Sequence, residues 1–463
     1  MTVIYSRAQG RAAENASGRS LPDLVRASAA AVEQALFEEL GSGQRVLLLV
    51  GPGYNGVDAL VAGAAAAGQG RQVGAWRALG TVVPDAWSAF LEAGGQEVSD
   101  EQVVDQVGQV DLVVDGVFGR NSRPDLPPRV AEVAEACRRG RVALLAIDIP
   151  SGLAPDETRP TGVTFHASRT VALGYAGAAH RLGAAQLRCG AVTVASMPFE
   201  LGEPSVVAWS QAEVAAAWPV PEEADEPTCR VGIDAGSAEN PGSGILACAG
   251  ALYAGAGLVR YLGTAPIAEQ LVAQLPSVTM PDGPVDAWLA GPGWQGLDDA
   301  AARLQMALDS GLPLVISDAA VPYLTEHLGR LEVVLTAGAE SLAGLLRTPL
   351  EEVLQNPPAA ARRAAGEYGV TVLLRGAVSC VASPRTAQVQ VAVPASAGAV
   401  AAGADDVVAG ICVALLATGI EPSRAAVLAA SLPALTAVRH PGPWPAIETV
   451  RRFPATIAEL IDR

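Results

Sequence analysis

Apolar and polar positions along this chain fall into two alternating rhythms. Through residues 20–40 apolar residues recur at helical spacing and stop at Gly41, which predicts a helix. Short apolar runs then alternate with amphipathic stretches. They predict strands at 46–50, 72–76, 111–115, 142–147, near 168–174 and at 191–196, with helices near 58–68, at 84–93 and at 128–139. Strands and helices alternating over short connections predict an α/β fold with a Rossmann-like, doubly wound parallel sheet. Residues 205–228 break the rhythm. The Pro-rich, acidic stretch PVPEEADEP predicts an extended linker over 206–227 between domains at 1–205 and 228–463. The second half resumes with a Gly-rich turn at 236–244 and strand signals at 287–294, 312–317, 331–336 and 370–376. A long terminal helix is expected after Asp405 and Asp406, so the second domain also reads as α/β.

Length agrees with two domains, since 463 residues exceed one ordinary core. A net charge of −17 argues against nucleic acid or an anionic membrane surface as partner. It does not exclude a phosphorylated ligand held by backbone N–H groups at a helix N-terminus. Every basic residue is Arg, which excludes Schiff-base chemistry and a Walker lysine. The six cysteines and four histidines are scattered, so neither a disulfide framework nor a zinc site is expected. With no signal-peptide pattern and no apolar run of spanning length, a soluble cytoplasmic protein is expected. Ala-rich helices leave open a homo-oligomer surface, although such helices more often form core.

Candidate chemistry sits where three strands end: VLLLVGPGYNGVDAL (46–60), VDLVVDGVFGRNSRP (110–124) and VALLAIDIPSGL (142–153). Open parallel sheets bind ligands at their carboxyl edge, where these runs stop at Gly, Asp and Asn. The first junction offers glycines for close backbone approach, and it also reads as a plain strand-to-helix turn with Asp58 as cap. Asp115 and Asp148, beside Asn55 and Ser151, make a cluster of hard oxygen ligands suited to a hydrated cation or acid–base work.

These three segments resemble the NAD(P)H-hydrate epimerase signatures GPGNNGGDG, VDALFGTG and AVDIPSG. The resemblance implies a hydrated dinucleotide lying against Tyr54, Asn55, Gly56, Val57 and Asp58, against the loop Gly119, Arg120, Asn121, Ser122 and Arg123, and on Asp148. It implies a potassium ion on Asn55, Asp115 and Ser151, and Asp148 as the acid–base residue exchanging configuration at C6 of the damaged nicotinamide ring. Tyr54, Val57 and Ala59 depart from the pattern, as does the loop GRNSRP.

Residues 228–462 resemble the ADP- or ATP-dependent NAD(P)H-hydrate dehydratases, which have a ribokinase-like fold. The likeness rests on GSAENPGSGILACAGALYAGAGLV, LAGPGW and GADDVVAGICVALLATG. It implies phosphorylation of the C6 hydroxyl from a magnesium-bound nucleotide, with Asp406 as base. Ser243, Gly293 and Asp406 would meet substrate, and Arg375, Gly376, Ala377 and Asp405 the nucleotide. Four departures stand at ligand-contacting positions. GSGD becomes Gly403-Ala404-Asp405-Asp406, TPHPGE becomes Thr336 to Ser341, KGA becomes Arg375-Gly376-Ala377, and NPG becomes Ser396-Ala397-Gly398. The first puts a carboxylate inside an anion cradle, and Asp405 and Asp406 also read as simple helix caps.

The favoured expectation is a metabolite-repair enzyme with a working epimerase and relaxed dehydratase chemistry on a kept scaffold. The alternatives are a fully bifunctional enzyme and a non-catalytic dinucleotide-binding protein that keeps both folds.

Overall fold

A computed structural model describes residues 1–120, 125–220, 228–280, 283–330, 332–394 and 401–462. Asn121, Ser122, Arg123, Ser396, Ala397, Gly398 and most of PVPEEADEP lie outside the described residues. The chain divides into two compact units, Val3–Ser205 and Val206–Arg463, with Met1–Thr2 counted in the second.

After the short strand Thr2–Ile4 (β1), the first unit contains β2 (Arg45–Val50), β3 (Gln72–Arg77), β4 (Gln96–Val98), β5 (Leu112–Gly116), β6 (Ala143–Ile147), β7 (Arg169–Leu173) and β8 (Ala191–Ala195). Their order is β4-β3-β2-β5-β6-β7-β8, and every neighbouring pair is parallel. The chain winds outward from β2 through β3 to β4, then returns to place β5 on the other side of β2. That reversal opens a crevice beyond the carboxyl ends of β2 and β5, where doubly wound sheets take their ligands. The runs Val46–Val50 and Leu112–Val114 are buried on both faces, as a sheet covered by helices on each side requires.

The second unit contains β9 (Val206–Ala208), β10 (Arg230–Asp234), β11 (Leu258–Tyr261), β12 (Val278–Thr279), β13 (Ala287–Ala290), β14 (Leu314–Ser317), β15 (Val333–Ala337), β16 (Thr371–Leu374), β17 (Cys380–Ala382) and β18 (Val389–Val391). The order runs β9-β18-β17-β16-β15-β14-β13-β10-β11-β12, antiparallel only where β17 meets β16 and β18. The Ala-rich helices Pro241–Tyr253, Ala404–Ala417 and Pro422–Arg439 bury their small side chains in this unit's core.

Three expectations need correction. The residues expected as linker begin with structure: β9 pairs with β18, and Gln211–Ala217 is a helix closed by a Ser210–Glu213 capping box. That segment was too short and polar to show a period. The long terminal helix is instead four helices among the described residues, the first ending before Gly419, φ +80°, and the second starting at Pro422. The helix expected near 58–68 starts at Tyr54, since Gly53 caps it directly after the turn. Helices Arg7–Ala16 and Val103–Val107 and strand β4 were not anticipated.

Candidate active site

The turn after β2 is tight because Gly56 packs onto it. A Cβ there would sit 2.1 Å from the Gly51 carbonyl oxygen. A Cβ at Gly119 would likewise sit 2.8 Å from the Asn55 amide nitrogen. These contacts bring the β2 and β5 loops together, and Asn55 Nδ2 secures the join by donating to the carbonyls of Phe118 (3.2 Å) and Ile147 (2.8 Å).

Asp115, at the end of β5, has no exposed surface. Its carboxylate accepts from the Ser151 amide (2.7 Å), the Ser151 hydroxyl (2.7 Å) and the Val117 amide (3.2 Å). Burial pushes its carboxyl up to about 6, against those hydrogen bonds. This buried carboxylate, bound to Ser151, which like Asn55 reaches the Phe118 carbonyl, gives a set of oxygen donors suited to a hard monovalent cation. The described residues hold no group of three or more His, Cys, Asp and Glu side chains able to bind a metal, so a carboxylate-rich divalent site is not built here.

Asp148 follows β6 in a left-handed conformation, φ +67°, uncommon for a side-chain-bearing residue. The Ile149 amide donates back to the Ile147 carbonyl (2.8 Å), making a γ-turn centred on Asp148. The strained residue is held from two sides. Its amide donates to Val171 O (2.8 Å), and His180 Nε2 donates to its carbonyl (2.7 Å). His180 Nδ1 accepts from the Gly177 amide, which fixes the neutral tautomer, and burial holds the ring's pKa down.

Arg120 closes around the Asp148 carboxylate. Its amide (2.8 Å) and Nε (3.2 Å) reach Oδ2, and Nη2 reaches Oδ1 at 2.9 Å. The Leu173 amide adds a 3.4 Å contact to Oδ1. The guanidinium also lies 3.1 Å from Glu14 and 4.4 Å over the Tyr175 ring. Burial raises the Asp148 carboxyl, but the Arg120 charge and hydrogen bonds outweigh it and hold the group below its usual range. Asp148 is thus an anchored anion with its lone-pair directions taken.

Asp58, one turn and a half into its helix, behaves oppositely. It is buried, and burial pushes its carboxyl up to about 7 despite a hydrogen bond from Ser28, with Asp148 adding a like charge. Together Glu14, Ser28, Tyr54, Asn55, Asp58, Arg120 and Asp148 line a cleft of about 350 Å³ whose apolar wall includes Leu24, Val25 and Met197.

Of the residues expected at substrate, Tyr54, Asn55, Asp58, Gly119, Arg120 and Asp148 reach this cleft, whereas Gly56 and Val57 do not line it. Glu14, Ser28 and His180 were not foreseen. The first two lie on helices far upstream, and nothing local marks which face meets the sheet edge.

In the second unit, Asp406 opens helix Ala404–Ala417 after Gly403. Burial raises its carboxyl while Ser243 hydrogen-bonds it. Gly293 packs against Ser243, since a Cβ there would meet the Ser243 side chain at 2.5 Å. The three expected substrate residues therefore form one chain of contacts. Arg375, buried at the end of β16, pairs with both Asp318 and Asp405. Its Nε is buried without a hydrogen-bond partner among the described residues. Gly376 and Ala377 are exposed beyond it. Asp318, which also accepts the Gly338 amide (2.8 Å), was not foreseen.

Two α/β units, one with a polar cleft at its switch point and one with carboxylates at a helix N-terminus, define a two-domain α/β protein. Residues 22–178 match the family described as YjeF-related protein N-terminus, and residues 231–441 match NAD(P)H-hydrate dehydratase. The bifunctional NAD(P)H-hydrate repair enzyme Nnr of Mycobacterium tuberculosis is 34% identical over 452 residues, covering 92% of this chain and 91% of that protein. Its Mycobacterium leprae counterpart is 33% identical over the same coverage. A ribokinase-like superfamily protein of Enterococcus faecalis superposes with a TM-score of 0.50 at 18% identity, over 57% of this chain and 99% of that one. The chain belongs to the bifunctional NAD(P)H-hydrate repair family, with an N-terminal epimerase domain and a C-terminal dehydratase domain.

Proposed function

We propose that this protein repairs hydrated NADH and NADPH in the cytoplasm, with its N-terminal unit exchanging the two configurations at C6. The observation that carries this reading is the joint presence, at the β2/β5 switch point, of a buried oxygen-ligand cluster and a strained, anchored aspartate lining the adjacent cleft. Epimerisation must break a bond at C6 on one face of the ring and remake it on the other. Positive charge that develops on the ring as the hydroxyl departs is favoured by the Asp148 anion, which Arg120, His180 and the γ-turn hold in place without reorganisation. The dinucleotide lies along Tyr54, Asn55 and Asp58 and against the loop from Gly119.

Asn55, Asp115 and Ser151 would hold a potassium ion, which would neutralise the buried Asp115 carboxylate and fix the loops that shape the cleft. The donor set supports that assignment, because a fully buried carboxylate, a serine hydroxyl and an asparagine amide oxygen are hard oxygen ligands.

In the second unit we propose that Asp406 takes the proton of the C6 hydroxyl and that nucleotide with magnesium binds by Arg375, Gly376 and Ala377. The Arg375–Asp405 pair occupies the cation that a phosphate would need, so dehydration is the weaker of the two activities. The test is a chromatographic assay of the full chain on one separated epimer of hydrated NADH, in potassium buffer, with and without ADP or ATP. The other epimer should appear in both samples, and NADH should return slowly if at all. Failure to produce the other epimer would refute the reading.

A further inference from the structure

The two carboxylates of the N-terminal cleft are not equivalent, and their hydrogen bonds say how they divide the work. Asp148 accepts from Arg120 N, Nε and Nη2 and from Leu173 N, so each oxygen already takes two donors and has no lone pair free for a proton. Asp58 has one hydrogen bond among the described residues, to Ser28 Oγ at 2.8 Å, and lines the same cleft.

The Ser28 hydroxyl is placed to serve either form of Asp58. It lies 3.1 Å from the Val25 carbonyl and 2.8 Å from Asp58 Oδ1. When Asp58 is ionised, Ser28 turns its hydrogen onto the carboxylate. When Asp58 is protonated, Ser28 accepts that proton's hydrogen bond and turns its own hydrogen to Val25 O. A hydroxyl rotation therefore keeps the buried pair satisfied in both states, a requirement for a group that gives and regains a proton.

We propose that Asp58 is the proton-carrying residue of the N-terminal cleft, with Asp148 remaining ionised as the charge partner of the ring. Asp58 donates its proton to the C6 hydroxyl. The C6–O bond breaks with its electron pair leaving on water, and the N1 lone pair forms the C=N bond. Water adds to the opposite face, N1 recovers its lone pair, and the proton released by that water restores Asp58. One water is lost and one is gained. An exchange run equally in both directions favours a group that titrates near the working pH, and the shift of Asp58 to about 7 agrees with that demand. The charged and titratable groups sharing its cleft are Asp148, Arg120, Glu14 and the Tyr54 phenol. Pairs of carboxyls pushed apart by their surroundings are a recurrent basis for dividing acid and anion roles.

The proposal rests on the epimerase reading, and its test separates the two. The full chain and its Asp58→Asn, Asp58→Glu and Ser28→Ala variants are assayed for epimer exchange on one epimer of hydrated NADH from pH 5 to 9. Asp58→Asn should lower kcat about a hundredfold or more with KM changed by less than about threefold. Asp58→Glu should regain at least about tenfold of that loss. Ser28→Ala removes a hydrogen bond that favours the ionised form, so it should move the limb of the profile near pH 7 upward. Asp58→Asn activity within about fivefold of the unsubstituted chain would overturn the proposal while leaving the epimerase reading intact. Loss in Asp58→Asn and Asp58→Glu alike, with an unmoved Ser28→Ala profile, would mark a structural role and overturn it too. An unsubstituted chain that exchanges nothing overturns both.

Discussion

Each unit sets an arginine against aspartate at the carboxyl edge of a parallel sheet, and the two pairs differ in what surrounds them. Asp148 is buried and Arg120 partly so; they meet at two oxygens and belong to a network with Glu14, Tyr175 and a backbone locked by His180. Arg375 is buried too, but Asp405 is largely exposed and stands at the first turn of helix Ala404–Ala417, where a phosphate would gain most from the helix N-terminus. The first pair builds a site around a fixed anion. The second pairs its arginine with an exposed carboxylate in the first turn of a helix. The contrast lies in burial and place in the fold rather than in the arginine itself.

The comparison breaks most severely if the N-terminal pair is cut. Arg120→Ala leaves Asp148 buried without its partner, which should destabilise the first unit by about 3–5 kcal/mol. Denaturant unfolding monitored by amide exchange in β2 and β5 measures this, and a loss below about 1 kcal/mol would mean that the pair is not integrated as described. The pH dependence has a definite sign for each carboxyl. Asp148 titrates below its usual range when folded, so its contribution is present above pH ~4 and is lost as pH falls through the folded value. Asp58 titrates at about 7 when folded, against 3.8, so its contribution is present at low pH and is lost as pH rises through 7. Asp58→Asn should therefore flatten the decline between pH ~4 and 7, by on the order of 2–4 kcal/mol, in the same exchange experiment. An undiminished decline would assign it to another group.

Smaller effects sharpen the contrast. Asp115→Asn should weaken the response of epimer exchange to potassium by about tenfold to a hundredfold, measured as the potassium concentration giving half-maximal rate. An unchanged response would remove Asp115 from the cation site. Asp405→Gly should tighten ADP binding to the full chain by roughly tenfold, ~1.4 kcal/mol, in titration calorimetry. No change would show that Asp405 does not exclude phosphate.

The sheet of the first unit was legible because buried parallel strands must be continuous apolar runs, and Val46–Val50 and Leu144–Ile147 are such runs. Asp115 and Asp148 were legible for a related reason: polarity beginning abruptly at a strand's end has few structural uses. The environments of these groups were not legible. Arg120 reads locally as one more loop arginine, and only the return of β6 beside β5 brings Asp148 to it. Ser28 sits in a helix whose period shows that one face is buried but not that part of that face meets a cleft. The strand Val206–Ala208 hid in a linker-like composition, because three residues carry too little pattern to separate a strand from a coil.

The most direct test of the account is the epimer assay with the full chain on a single epimer of hydrated NADH, run in potassium with and without added ADP or ATP. The account predicts rapid appearance of the other epimer in both conditions and little nucleotide-dependent recovery of NADH. Rapid nucleotide-dependent recovery without epimer exchange would invert the assignment of the two sites and contradict it.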